Sequence, residues 1–295
     1  RHDVPRAAWY RISMDFRKKF AVAPGSRLKL AKLDPADKGS EKSAETAAQA
    51  IECARQNLSD MQTLLYAERK RSLLVVLQAL DAGGKDGTII HVMGAWNPQG
   101  ATVTAFKEPT PQELAHDFLW RVHIHAPGRG EIAIFNRSHY EAVLVERVHK
   151  LIDKPTWKTR YRRIREFEAE LADHDTHIVK FYLHISKEEQ LARFAQRLED
   201  RTRNWKISEA DYTERAHWDE YIAAYEDAIS ATSTKYAPWY VIPANHKWFR
   251  DLAVSRILAD TMEDFHISYP KPSVDLAKIR RDYHAAAEEN SKRTK

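Results

Sequence analysis

Cysteine is nearly absent. Cys53 is the only one in 295 residues, so an internal disulfide is excluded and a reducing cytoplasm is the expected compartment. Long hydrophobic runs are missing as well. None approaches the roughly 18–20 residues that a bilayer span requires, and no membrane partner is expected. The chain begins Arg1-His2-Asp3, without an initiator Met and without the apolar core of a secretory signal, so no targeting segment is expected. There is no zinc-finger spacing, no RNP-type aromatic run and no basic heptad, and nucleic acid is not expected as a partner. Internal repeats are absent. Glycine is scarce, nine in all, and three of these, Gly83, Gly84 and Gly87, fall in the stretch that carries most of the information.

What is present fits a globular protein with a sizeable core, either one large α/β domain or two small ones. Hydrophobic residues make up 43% and charged residues 30%. The net charge of +5 and the pI of about 9.1 suit a polyanionic partner. Charge alone leaves nucleic acid, an anionic membrane surface and a phosphate chain open, and it also serves plain solubility.

Residues 1–42 are basic and irregular, with Pro5, Pro24, Gly25, Pro35 and Gly39, and read as an arm or a wrapping segment. Residues 43–69 form an amphipathic helix whose stripe of Ala44, Ala47, Ala48, Ile51, Leu58, Met61 and Leu65 reads as core. Strands are expected at 73–78, 101–106, 132–135, 177–185 and 239–242. Helices are expected after Thr88, from Thr110, from 136 to about Leu151, over 157–171, from Ser186 to about Asp200, from Ser208 and over 246–265. Thr110-Pro111-Gln112-Glu113 and Ser186-Lys187-Glu188-Glu189 both read as capping boxes. Such alternation predicts an α/β fold, a parallel sheet covered by helices on both faces, spanning 43–268. Residues 269–295 read as a polar, loosely packed tail.

The apolar strand Leu73–Gln78 runs into Ala79-Leu80-Asp81-Ala82-Gly83-Gly84-Lys85-Asp86-Gly87-Thr88, and a helical pattern follows. That order builds a phosphate cradle. Glycines let backbone N–H groups turn inward with no Cβ in the way. The helix start adds further N–H groups, and Lys85 supplies a mobile cation for a transferred phosphate. The fit to G-x-x-x-x-G-K-[ST] is partial. Gly84 and Lys85 match; Ala79 replaces the first Gly, and Asp86 stands at the Mg²⁺-binding hydroxyl, with Thr88 two residues on. A phosphotransferase or a nucleotide hydrolase is expected, set against a simple strand-to-helix turn.

Gly130-Glu131-Ile132-Ala133-Ile134-Phe135 ends in Asn136-Arg137-Ser138, like a Walker B strand whose usual last residue is a metal-holding Asp. Asn136 is a weaker, neutral ligand, which leaves Asp81 as the better metal candidate. Arg137 would offer bidentate contacts to phosphate, against the plainer reading of a surface charge beside a turn cap. Arg193, Arg197 and Arg201 recur every four residues on one helical face. Together with Lys206 they read as phosphate-binding cations of a helical lid over about 193–215, or else as a solvated basic face. His123 and His125 alternate as metal ligands do, but no third ligand supports them. Trp218, Tyr221 and Tyr225 fall at helical spacing and read as core.

Taken together, these motifs resemble the family-2 polyphosphate kinases. The stretch 77–88 is similar to that family's Walker A segment, and 130–141 to its third-strand segment. Trp205-Lys206-Ile207-Ser208, Thr232-Ser233-Thr234 and Ala237-Pro238-Trp239 are similar too, so the resemblance covers roughly residues 28–265. It implies a P-loop kinase fold like thymidylate kinase, with a helical lid. It implies Mg²⁺-dependent phosphoryl transfer between inorganic polyphosphate and adenine nucleotides. In that reading Asp81 holds Mg²⁺ and Lys85 meets the transferred phosphate. Gly83, Gly84, Asp86, Gly87 and Thr88 form the cradle, and Arg137, Arg197 and Lys206 bind phosphates. Asn136 departs from the Asp of many members. With His139-Tyr140-Glu141 it resembles the subgroup that phosphorylates both AMP and ADP, although Ala142 replaces an acidic residue expected there. Lys29, Lys32, Arg160, Arg162 and Arg163 are candidates for a polyphosphate channel, and a homo-oligomer is expected. Two rival readings use the same residues: an ATP-dependent P-loop kinase of a small metabolite, and a non-catalytic polyanion-binding protein.

Overall fold

The computed structural model describes residues 14–41 and 43–293. The first thirteen residues of the basic arm, Pro5 included, and the last two of the tail lie outside the described residues. β1 (Ser72–Gln78) is buried at every position. A strand with no water-facing side belongs in the middle of a parallel sheet, and β1 lies there. The others are β2 (Ala101–Ala105), β3 (Ile132–Asn136), β4 (Thr176–His184) and β5 (Trp239–Pro243), in the order β2-β3-β1-β4-β5 with every pairing parallel. The chain leaves β1 towards one edge for β2 and β3, then crosses to the other for β4 and β5. That reversal opens a crevice beyond the carboxyl ends of β1, β3 and β4.

In chain order the helices are α1 (Phe16–Phe20), α2 (Ala44–Glu68), α3 (Lys85–His91), the single turns α4 (Pro111–Leu114) and α5 (Trp120–His123), and α6 (Val145–Val148). They continue as α7 (Lys154–Asp173), α8 (Lys187–Glu199), α9 (Glu209–Ala216), α10 (Trp218–Thr232), α11 (Lys247–Glu263) and α12 (Leu276–Arg293). α1, α2, α3 and α11 pack together as one layer, and α6, α7 and α10 as the other. The sheet is thus covered on both faces. Among the described residues no helix is long and apolar enough to cross a membrane.

Sequence signals for helix starts meet mixed outcomes. The Thr110 box closes in both directions, Glu113 N–H to Thr110 Oγ1 at 3.2 Å and Thr110 N–H to Glu113 Oε2 at 2.7 Å. Ser186 caps α8 by accepting from Glu189 N–H at 3.1 Å, but the Glu189 carboxylate takes Arg193 Nε at 2.7 Å instead of returning to the cap. The single helix expected from 136 to about Leu151 is a 3₁₀ turn over His139–Val143 followed by α6. Extended backbone at Ser138 and a break at Leu144 divide it. The tail holds α12, capped by Asp275 and without a buried residue.

Residues 14–22 do more than drape over the surface. Phe16 and Phe20 are buried and form a ring cluster with Phe249 of α11, with centroids 6.0–6.1 Å apart. Ala21 forms an antiparallel bridge to Tyr240, and Val22 N–H donates to Trp239 O at 2.9 Å, so this segment covers the open edge of β5. A five-residue helix is too short to show a period, which is why the sequence reads as irregular there. Phe16→Ala is expected to cost about 3–5 kcal/mol, the usual range for emptying a buried aromatic site. Urea unfolding measures it, and a loss below about 1 kcal/mol would make the segment a dispensable strap.

Candidate active site

Parallel pairing sets Leu77 opposite Asn136. The loop after β1 and the turn after β3 therefore leave the sheet side by side. In the first loop, Gly83 N–H closes a turn onto Leu80 O at 3.0 Å. Gly84 adopts φ +104°, and a Cβ there would lie 2.1 Å from Arg250 Nη1. Both backbone and space demand glycine at that position. Lys85 crosses back over the loop and donates from Nζ to Ala79 O at 2.9 Å. Burial lowers its pKa, assisted by Arg137 and opposed by Asp81, Glu141 and Asp86. An anionic ligand at the cradle would relieve that deficit.

In the second turn Arg137 holds φ +62°, unusual for a residue with a side chain. Its guanidinium is 3.1 Å from Asp81 Oδ1 and 3.8 Å from Glu141 Oε2. Burial raises the pKa of Glu141, against the pull of Arg137 and Lys85. Asn136 donates from Nδ2 to Asp86 Oδ1 at 2.9 Å, tying β3 to the cradle. From the segment that follows α8, Lys206 Nζ approaches Asp86 Oδ2 at 3.9 Å, and Arg197 of α8 holds Lys206 O at 2.9 Å and Asp211 at 3.7 Å. Asp81, Gly83, Gly84, Lys85, Asp86, Gly87, Asn136, Arg137, Arg193, Arg197 and Lys206 all line one cleft of about 1180 Å³.

Other expected site residues lie elsewhere or act differently. Thr88 is buried and its hydroxyl bonds Gly84 O at 3.2 Å, so it shapes α3 and does not face the cleft. Arg193 is 5% exposed. It spends its donors on Glu189, Ala82 O, Ala244 O and Asn245 O, clamping the cradle to the loop after β5. Arg201 is exposed outside the cleft. None of the five channel candidates lines it. Lys29 pairs with Glu226 at 2.7 Å and Arg160 with Glu146 at 2.7 Å. Arg162 and Arg163 both face Glu166 along α7, and Lys32 is exposed.

The cleft draws its further cations from Arg55, Lys107, Arg203, Lys247 and Arg250, which sequence reasoning missed. Arg250 is 2% exposed, paired with Asp251 at 2.7 Å, and packed behind Gly84 and Gly87. Ala44, Ala48 and Ile51, expected in the core, form an apolar wall of the same cleft. A smaller cavity of about 430 Å³ adjoins it, sharing Asp81, Glu108, Arg137, Ser208 and Asp211. Its remaining wall includes Glu141, Glu214, Trp218, Tyr221 and Tyr225. The three aromatics are buried, as expected of core, and floor this cavity as well. His123 and His125 pack edge-on against Phe167 and Phe106.

A glycine cradle at the switch point of a parallel sheet, with a lysine across it and arginines facing it, defines an α/β kinase of the P-loop type. The chain belongs to the polyphosphate kinase 2 (PPK2) family, whose model matches residues 40–270. It is 51% identical over 263 residues to an AMP/ADP-polyphosphate phosphotransferase of Meiothermus ruber, covering 89% of this chain and 98% of that one. It is 44% identical over 270 residues to an ADP-polyphosphate phosphotransferase of Rhodopseudomonas palustris, covering 86% and 92%. The crystal structure of polyphosphate kinase 2 from Arthrobacter aurescens superposes with a TM-score of 0.89 at 39% identity, covering 92% of this chain and 97% of that one.

The Asn136–Asp86 contact makes a testable case. In Asn136→Asp two carboxylates would meet at that distance, and one would have its pKa raised. An acid with a raised folded-state pKa leaves stability intact below its unfolded pKa and removes it as pH climbs towards the raised value. The variant should therefore match the parent near pH 4 and, with solvent screening at the exposed Asp86, lose about 0.5–1 kcal/mol by pH 8. Added Mg²⁺ should restore part of the loss. Thermal unfolding at both pH values measures this, and a pH-independent difference would refute the contact.

Proposed function

We propose that this chain transfers phosphoryl groups from inorganic polyphosphate to AMP and ADP, yielding ADP and ATP. The observation that carries the reading is the meeting of two unlike cavities at one cradle. The larger, of about 1180 Å³, is rich in arginine and lysine and suits a flexible polyanion. The smaller is aromatic and acidic, and suits a nucleoside whose base stacks and donates hydrogen bonds. They join at Asp81 and Arg137, beside Lys85. A rival ATP-dependent kinase of a small metabolite would have no use for so large a basic cleft.

The chemistry follows from those positions. The acceptor is a nucleotide phosphate oxygen, already anionic at neutral pH because the second phosphate pKa is about 6. No general base is needed, so Asn136 in place of an acid does not disable the reaction. Lys85 and Arg137 stabilise charge on the moving phosphoryl group. Arg197 and Lys206 complete the surround when the lid closes and excludes water. Among the described residues no cluster of three or more His, Cys, Asp or Glu forms a metal cage. Mg²⁺, however, is commonly held by one or two carboxylates together with substrate phosphates, and Asp81 at the cavity junction fits that donor set. When bound, the ion would neutralise phosphate charge and align donor with acceptor. A cytoplasmic compartment and self-association belong to the same proposal. The single cysteine supports the first, and the exposed Leu276, Ile279 and Tyr283 of α12 support the second.

Incubation with Mg²⁺, polyphosphate and AMP or ADP tests the reading. ADP and ATP should form. Turnover only with ATP as donor would favour the metabolite kinase, and binding without turnover a polyanion-binding protein. Lys85→Ala should keep the fold and lose about a hundredfold or more in kcat; activity above a third of the parent's would remove Lys85 from the reacting phosphate. Arg197→Ala should lower kcat more than it weakens nucleotide binding, because lid contacts complete only on closure. The opposite split would make Arg197 a ground-state anchor.

A further inference from the structure

Beneath the cleft lies a buried ionic cluster with no part in the chemistry above. The side chains of Lys180 on β4 and Glu168 on α7 have no exposed surface. Lys180 Nζ donates to Glu168 Oε2 at 2.6 Å, Tyr140 OH at 2.9 Å and Thr232 O at 2.8 Å, which uses all three protons. Glu168 Oε1 accepts from the Tyr140 hydroxyl at 2.8 Å and lies 3.3 Å from His139 Nε2. Trp239 Nε1 donates at 2.9 Å to Thr232 Oγ1, which is itself 2.9 Å from the Tyr140 hydroxyl. Elements β4, α7, α10 and β5 thus converge on two consecutive residues, His139 and Tyr140.

Charges buried this fully are poor sources of stability. Removing both ions from water offsets most of their attraction, and apolar side chains of similar volume often replace them without loss. The location is more informative. His139 and Tyr140 lie within the segment 136–141, and three of its other members reach the site: Asn136 touches Asp86, Arg137 touches Asp81, and Glu141 lines the smaller cavity. The left-handed backbone of Arg137 persists only where both flanks are fixed. The preceding flank is fixed by Arg137 N–H to Leu77 O at 3.0 Å. The following flank is held at Ser138, whose Oγ accepts from Gln78 Nε2 at 3.2 Å, and two residues on by the buried hydroxyl of Tyr140.

We propose that Lys180 and Glu168 are positioning residues, which act through the Tyr140 hydroxyl to hold the turn after β3 so that Arg137 and Glu141 face the substrates. Neither touches the reacting atoms. Their effect is on kcat, because a guanidinium displaced by an ångström still attracts the nucleotide but no longer matches the charge of the transfer step. The proposal rests on the phosphotransferase reading, and the parent chain is the control that separates the two. A parent without turnover refutes that reading, whereas an active parent with unaffected variants refutes the positioning role.

Two paired replacements and one single replacement test it. In Lys180→Met with Glu168→Gln, the amide oxygen still accepts from the Tyr140 hydroxyl, so the tether survives without charge. In Lys180→Met with Glu168→Leu, the tether is gone and no charge is stranded. The Gln pair should retain kcat within about threefold of the parent. The Leu pair should lose about ten- to a hundredfold in kcat with polyphosphate and ADP, with nucleotide KM within about threefold and a comparable Tm. Equal kcat in the two pairs would overturn the proposal. Should the Leu pair fail to fold, Tyr140→Phe decides: it keeps the ring and removes the hydroxyl, and parental kcat in that variant would overturn the proposal equally.

Discussion

The pairing of Leu77 with Asn136 sets everything at the site. It brings the end of β1 level with the end of β3, so that Gly84, Lys85, Asn136 and Arg137 emerge into one cleft. A slip of one residue would turn the apolar run of β3 over and carry Asn136 away from Asp86. The register is enforced from both sides, because β1 is buried throughout and is also paired with β4 along its whole length. The site is precise because it hangs from the most constrained strand of the sheet.

On that frame the chain gathers charge that water would otherwise disperse. Lys85, Arg137 and Arg250 each have a carboxylate or a carbonyl as partner, and so are held without being neutralised outright. The lowered pKa of Lys85 shows the residual cost. Phosphates entering the cleft would replace these internal partners with stronger ones, so the binding energy is realised where transfer takes place. Left-handed backbone lies at the same place, at Ala82 and Gly84 in the first loop and at Arg137 in the second turn.

Much of this was legible in the sequence. The alternation of apolar runs with capped helices gave the sheet and its two helical layers. The Gly83-Gly84-Lys85 turn and the Asn136-Arg137 strand end marked the two loops that meet. What failed to read out was whatever depends on direction rather than type. Arg193, Arg197 and Arg201 share a spacing, yet one clamps the cradle, one lines the cleft and one faces solvent, because α8 ends at Glu199. Lys29, Arg160, Arg162 and Arg163 carry the charge expected of a channel but meet Glu226, Glu146 and Glu166. Arg250 and Lys247 lie far along the chain in a helix with no motif, and only folding brings them behind the cradle.

Arg193 and Arg250 show why cations stand behind the glycines and not only in front of them. A loop that turns its N–H groups towards a ligand turns carbonyls the other way, and those carbonyls need donors. Arg193 serves Ala82 O and, with a second nitrogen, Ala244 O and Asn245 O, spanning two loops with one planar group. Arg250 occupies the space that a side chain at position 84 would need. A lysine, with its single nitrogen, could not span both loops. The same guanidinium charges lie close to the cradle in a poorly solvated setting, where their field on an incoming phosphate is weakly screened. Arg193 thus joins backbone satisfaction to anion attraction in one group, and the absence of Cβ atoms at Gly84 and Gly87 lets the Arg250 guanidinium come near the same cradle.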